Sequence, residues 1–167
     1  MDAIRTFADL FTTVKFEDLP GAAVQAARQE VLDSLATAVG GSKAMGVPAL
    51  VELTREWGGA EQSTVIGYDL KCPAPNAARA NAMMTHALDY DDGHQGAQVH
   101  IGCVAVPTAF AVAERQGGVD GREFVTALAL GQDFLCRLGL ASRPHGNLIK
   151  SGWHPTPLCG YFGAAAI

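Results

Sequence analysis

Ser63-Thr64-Val65-Ile66-Gly67-Tyr68 is the one run in this chain that favours extended backbone, with β-branched Thr, Val and Ile beside an aromatic residue. Six residues make a single extended segment or the edge of a small hairpin, and one such run cannot build a sheet. The fold must therefore come from helices. The sequence on both sides of this run supplies them.

Toward the N-terminus, Val47 to Trp57 reads as a helix, with Pro48 suited to its first turn and Gly58-Gly59 to its end. Before it, Val24, Ala27, Val31, Leu32, Leu35 and Val39 recur on one helical face, opened by Asp18-Leu19-Pro20 and closed by Gly40-Gly41. Ile4, Phe7, Ala8, Phe11 and Val14 give a short amphipathic helix that Asp2 can cap.

Toward the C-terminus, Pro73 and Pro75 open a buried helix over 74–88 that delivers Asp89 at its end. A further helix covers 104–116, with Pro107 in its first turn and Gly117-Gly118 as its stop. Asp120 three residues before Glu123 is a variant capping box ahead of the apolar run 124–140. Residues 139–158 lack periodicity and read as a long loop, and the small residues from Gly160 open a last helix that packs closely on a neighbour. The sum is an all-α, bundle-like domain of about six or seven helices spanning 1–167, with at most one short extended segment.

Hydrophobic residues make up 49% of the 167 and charged residues 17%, below the roughly 25% of an average soluble domain, so the chain is expected to bury surface against a partner. A net charge of -5 with scattered Lys and Arg offers no basic stripe for a phosphate backbone, which excludes nucleic acid as a partner. An anionic ligand would have to be drawn in by a few local cations. The N-terminus has no basic region followed by an apolar stretch, and no run reaches the ~18 continuous apolar residues of a membrane span, so a soluble cytoplasmic protein is expected. Cys72, Cys103, Cys136 and Cys159 form no C-x-x-C pair and read as buried thiols in a reducing compartment.

Chemistry concentrates in 85–100, T-H-A-L-D-Y-D-D-G-H-Q-G-A-Q-V-H, where Asp89, Asp91 and Asp92 fall among His86, His94 and His100. Three carboxylates in four residues repel one another, which raises the pKa of one and prepares it for proton transfer, although solvated helix-end acids give the same pattern. Asp89 is expected to be the buried one, because it still lies in the helical register of His86. His94 and His100, six apart, suit acid or base work, since no fixed-geometry metal motif has that spacing. A metal held by His94, His100 and Asp91 or Asp92 is the weaker alternative. In the second loop, Ser151-Gly152-Trp153-His154-Pro155-Thr156-Pro157 fixes the backbone around His154. Arg143, His145 and Lys150, with Arg79 elsewhere, are candidate carboxylate binders. Ser151 and Cys159 sit in no nucleophile elbow, and no phosphate-binding loop occurs.

Taken together, H-A-L-D-Y-D-D-G-H with His100 six residues on, V-P-T-A-F-A-V-A-E and G-W-H-P-T-P-L-C-G-Y-F-G-A-A-A resemble the MmgE/PrpD family, which includes 2-methylcitrate dehydratase, cis-aconitate decarboxylase and iminodisuccinate epimerase. The resemblance extends over nearly the whole chain. It implies a helical domain that forms homodimers, with a lid-like domain and a catalytic lysine region further along than residue 167, and cofactor-free chemistry on small polycarboxylates. Asp89 matches the first acid of the family's D-[FY]-D-D motif, His100 the histidine usually followed by Pro-Ser, and His154 that of G-[FW]-H-P-[TP]. These three are the expected catalytic residues, with Asp92, His94, Lys150 and Thr156 as substrate-binding residues, no metal and no cofactor. The implied reaction is lyase chemistry, first of all dehydration of a 2-methylcitrate-like acid, with epimerisation, decarboxylation or a purely structural subunit as alternatives. Gly93 stands where the family commonly has Thr, and Ile101-Gly102 replaces Pro-Ser. On this likeness the chain is half of an active site, completed by a second copy or a complementary C-terminal chain.

Overall fold

A computed structural model of the protein describes residues 2–142 and 148–167. Among these residues there are seven α-helices: α1 (Ala3–Thr13), α2 (Gly21–Gly41), α3 (Val47–Trp57), α4 (Ala74–His86), α5 (Gly102–Arg115), α6 (Gly121–Ser142) and α7 (Pro155–Ala165). The run at Ser63 pairs with a second short strand to give an antiparallel hairpin, β1 (Ser63–Thr64) and β2 (Lys71–Cys72). The domain is all-α, as expected.

Helix α4 is the central element and packs against both α2 and α5. Between α2, α3, α4 and the hairpin, Ala38, Val47, Val51, Val65, Ala77 and Met84 form one apolar cluster. A second cluster joins α2, α5 and α6 through Ala27, Ala105, Val106 and Leu128. The third is built from Ala97 and Val99 in the loop before α5, Leu135 on α6 and Cys159 on α7. That third cluster seats the loop carrying the acids and histidines against the helix that follows His154.

The hairpin is too short to stand alone and is held by side chains from the helices. Buried Asn81 of α4 accepts from the Ile66 amide and donates to the Thr64 carbonyl, both at 2.9 Å. Ser63 donates to the Ala111 carbonyl of α5 at 2.7 Å. At the N-terminus Asp2 caps α1 by accepting from Ile4 N at 3.1 Å, and Phe7 and Phe11 lie on Phe134 of α6.

Several boundaries differ from the sequence reading for local reasons. Helix α4 stops at His86, two residues early, because the chain turns into a left-handed conformation at Asp89 (φ 51°). Helix α5 begins two residues early, since Asp92 caps its first amides, and Pro107 consequently sits in the second turn. Gly139 does not break α6; it makes a close approach to the Ala97 backbone, and the helix runs on to Ser142. Helix α7 begins at Pro155, with His154 at its cap, five residues before the small-residue run from Gly160. Arg143 and His145 lie outside the described residues. By length and composition α6 could cross a membrane, and here it packs against α2, α5 and α7. The four cysteines are free thiols, three buried and Cys136 half-buried.

Candidate active site

The end of α4, the loop after it and the start of α7 bring three imidazoles together. His86 closes α4, His100 stands just before α5, and His154 is the residue on which α7 begins. The His86 ring lies 4.7 Å from that of His100, edge to face, and 6.1 Å from that of His154, nearly parallel. An open cavity of about 340 Å³ is lined by Gly93, His94, Gln98, His100 and His154 among others.

The acids take positions that the helical register does not predict. Asp91, and not Asp89, is the buried carboxylate: its side chain is 0% exposed, whereas that of Asp89 is 82% exposed. The reason is the turn at Asp89, which throws that side chain outward and folds the next residues back beneath the histidines. Asp89 Oδ1 nevertheless lies 3.7 Å from His100 Nε2, at the mouth of the cluster. Asp91 meets His86 Nδ1 at 3.0 Å and His100 Nδ1 at 3.5 Å.

Asp92 points the other way, into the N-terminus of α5. It accepts from Gly102 N at 2.7 Å and from Ile101 N at 3.1 Å, so two amides at the start of that helix are satisfied by a side chain ten residues earlier. A proline at position 101 has no amide to give to this contact. Gly102 faces α2 closely: a Cβ there would meet the Glu30 carboxylate and the Ser34 hydroxyl, which would have to swing aside. Thr156, in the first turn of α7, is buried and accepts from His100 N at 3.0 Å, tying the two loops together. His94 Nδ1 accepts from Ala97 N at 2.9 Å within a closed turn, while the ring reaches the cavity wall. Lys150 is exposed in the turn next to Ile149, which also lines the cavity.

Behind α5 a second acid pair matters electrostatically. Burial, reinforced by the nearby Asp92, pushes the Glu30 carboxyl up to about 7, and burial raises Asp92 as well against its two backbone hydrogen bonds. Between its ordinary value of 4.5 and about 7, folded Glu30 keeps a proton that the unfolded chain has released. Stability from this group is thus fully present below the lower value and declines until the pH passes the upper one. Glu30→Gln is expected to be more stable than the parent at about pH 8, by on the order of 2 kcal/mol after discounting for solvent contact, and similar at about pH 5. Thermal melts at the two pH values check this, and equal melting differences at both would refute it.

His86 and Asp91 were the residues that sequence reasoning undervalued. His86 was visible as the first histidine of the cluster, but its contact with His154 depends on tertiary placement. For a metal, His86, Asp89, Asp91 and His100 each offer one ligand atom, all within 4.8 Å of one another. Imidazole and carboxylate donors suit a divalent first-row ion, yet His86 Nδ1 and Asp91 are already hydrogen-bonded to each other. His94, the other expected ligand, is not in that group.

The chain is 30% identical over 161 residues to the cis-aconitate decarboxylase-like protein oryM of Aspergillus oryzae, covering 93% of this chain and 33% of that protein. It is 28% identical to the cis-aconitate decarboxylase of Aspergillus terreus (90% of this chain, 31% of that one) and 26% identical to the human cis-aconitate decarboxylase (96% and 34%). The chain thus spans about a third of the length of these curated relatives. Residues 5–167 match the MmgE/PrpD N-terminal domain, and this chain, with its histidines gathered by α4, α5 and α7, belongs to the MmgE/PrpD family.

Proposed function

We propose that this chain supplies one wall of a lyase site that acts on a small polycarboxylate by moving a proton at the carbon next to a carboxylate. The observation that carries this reading is the convergence of His86, His100 and His154, from three separate elements, with Asp89 beside His100 and an open cavity lined by His100 and His154. Imidazole is the side chain suited to proton exchange near neutral pH, and two of these three rings, His86 and His100, lie against carboxylates that orient them.

In this scheme Asp89 or His154 takes the proton from carbon, and the electron pair spreads into the adjacent carboxylate as an enediolate. His100 protonates the departing hydroxyl, water leaves and a carbon–carbon double bond forms. Neither a metal nor an organic cofactor takes part. His94 and Lys150 meet the substrate carboxylates directly, while Asp92 and Thr156 act through the backbone around His100. Further cations come from a second copy or a complementary chain. Exposed Trp153, Tyr161 and Phe162, around the start and along α7, support such a neighbour. The reading is of a soluble cytoplasmic enzyme.

Dehydration of a 2-methylcitrate-like acid is the first form of this reaction. The names of the relatives favour a second, decarboxylation of cis-aconitate, in which carbon dioxide leaves, its electron pair enters the allylic system and the same acid protonates carbon. Epimerisation would return the proton to the opposite face.

The test is turnover of 2-methylcitrate and cis-aconitate by this chain, alone and with any co-encoded polypeptide. His154→Ala and Asp89→Asn are each expected to lose about 100-fold or more, with circular dichroism unchanged. Unchanged turnover in both variants would end the site assignment. Absence of turnover in the parent assembly would leave a structural subunit. Stoichiometric zinc or iron in the purified protein would overturn the cofactor-free scheme.

A further inference from the structure

We propose that Asp91 is a positioning residue that fixes the tautomers of two site histidines at once, holding the proton of both His86 and His100 on Nδ1 and leaving both Nε2 atoms bare. This rests on the reading that these imidazoles move protons for the reaction, and it assigns the buried acid of the cluster a role distinct from that of Asp89.

The geometry is asymmetric in a way that selects one arrangement. Asp91 is fully enclosed, and both of its oxygens lie 3.0 Å from His86 Nδ1. An ionised carboxylate only accepts, so the nitrogen facing it carries the hydrogen. His100 presents the same atom, Nδ1, to Asp91 Oδ1 at 3.5 Å, and that nitrogen is buried with no shorter partner among the described residues. A buried ring N–H has to be satisfied, and a contact of this length is of the kind that shortens when a site closes on its substrate.

With Nδ1–H directed at Asp91, Nε2 of each ring is the atom left to take up and give back a proton. His100 thus protonates the departing hydroxyl from Nε2 while its ring carries both hydrogens, and returns to the Nδ1–H form. For His100 that atom faces Asp89 at 3.7 Å, at the mouth of the cluster. Other groups around Asp91 do not compete for this role. The Cys103 thiol lies beside it, is pushed well up by burial and by Asp91 itself and so stays protonated, and it donates to the His100 carbonyl at 3.7 Å. Asp92 is engaged by the Ile101 and Gly102 amides, and Glu30 lies beyond it on α2. His94 provides an internal contrast: its Nδ1 accepts from Ala97 N, which places the hydrogen of the neutral ring on Nε2.

Side-chain nitrogen NMR of the full chain, labelled with ¹⁵N-histidine, reads this directly at about pH 8.5, well above the ordinary imidazole value of about 6.5. Two-bond proton–nitrogen correlations distinguish protonated from bare ring nitrogens. His86 and His100 are expected as Nδ1–H tautomers and His94 as Nε2–H. In Asp91→Asn an amide donor replaces one acceptor oxygen, and at least one of His86 and His100 is expected to move its hydrogen to Nε2 while His94 stays unchanged. An Nε2–H tautomer for His86 or His100 in the parent protein would overturn the proposal, and that result needs no variant to fold. So would Asp91→Asn spectra with both rings still Nδ1–H. Because tautomers are read without turnover, a failure of the lyase reading would leave this result standing, and the reverse.

Discussion

Asp92→Ala is expected to destabilise the chain by about 3 kcal/mol, with Asp92→Asn losing less than about 1 kcal/mol. The alanine leaves the amides of Ile101 and Gly102 without their acceptor, at a helix start packed against Glu30 and Ser34 where water has little room to replace it. The asparagine keeps one acceptor oxygen. Two effects oppose each other in the alanine variant. Removing the charge relieves the repulsion that raises Glu30, and removes a carboxylate that burial itself disfavours. The lost hydrogen bonds win, because each unsatisfied buried amide costs about 1–3 kcal/mol and two are exposed together. Urea denaturation of the three proteins near neutral pH measures the difference. Equal stability of the alanine and asparagine variants would mean that charge, and not the cap, is what Asp92 contributes. Because His100 immediately precedes Ile101, turnover should fall further in Asp92→Ala than the fraction folded accounts for.

The same cap marks where sequence reading succeeded and where it stopped. Helix faces were legible because apolar spacing and glycine or proline punctuation report local structure: Val47–Trp57 is found at the predicted residues, and Asp2 caps α1. Asp89, His100 and His154 could be singled out from their motifs, and the fold brings the two loops that carry them together. What local pattern could not rank was burial among three adjacent acids. Asp89, Asp91 and Asp92 differ in what surrounds them: solvent and one imidazole, two imidazoles and a thiol, or the amides of a helix ten residues on. Those surroundings are set by a left-handed residue at the end of α4 and by the approach of α2, neither of which has a periodic signature. Gly139 misled for a related reason. A glycine kept for a close backbone approach looks, in one sequence, like the first residue of the glycine- and proline-bearing loop that follows it.

Gly41→Ala should have the largest effect on the fold itself, a loss of about 3 kcal/mol or more. Gly41 is the last residue of α2 and is buried against α4, where an added Cβ would overlap the carbonyl oxygen of Met84. That obstacle is backbone within a helix, so no rotamer change can relieve it, and α2 and α4 would have to separate. Their contact is among the most extensive in the domain, and Met84 is itself fully buried in the cluster that joins α2, α3 and α4. For a chain of this size the expected fall in melting temperature is about 10 °C. Gly21→Ala at the exposed start of the same helix meets nothing within 4 Å and should be neutral or slightly stabilising, which separates the close approach from a general glycine effect. Any residual folded Gly41→Ala protein carries a second signature. Met84 lies two residues before His86, so displacing this part of α4 shifts His86 relative to Asp91, and the His86 tautomer expected of the parent should be lost even below the melting point. A Gly41→Ala protein that melts with the parent and keeps that tautomer would refute the packing of α2 on α4 as the support of the site.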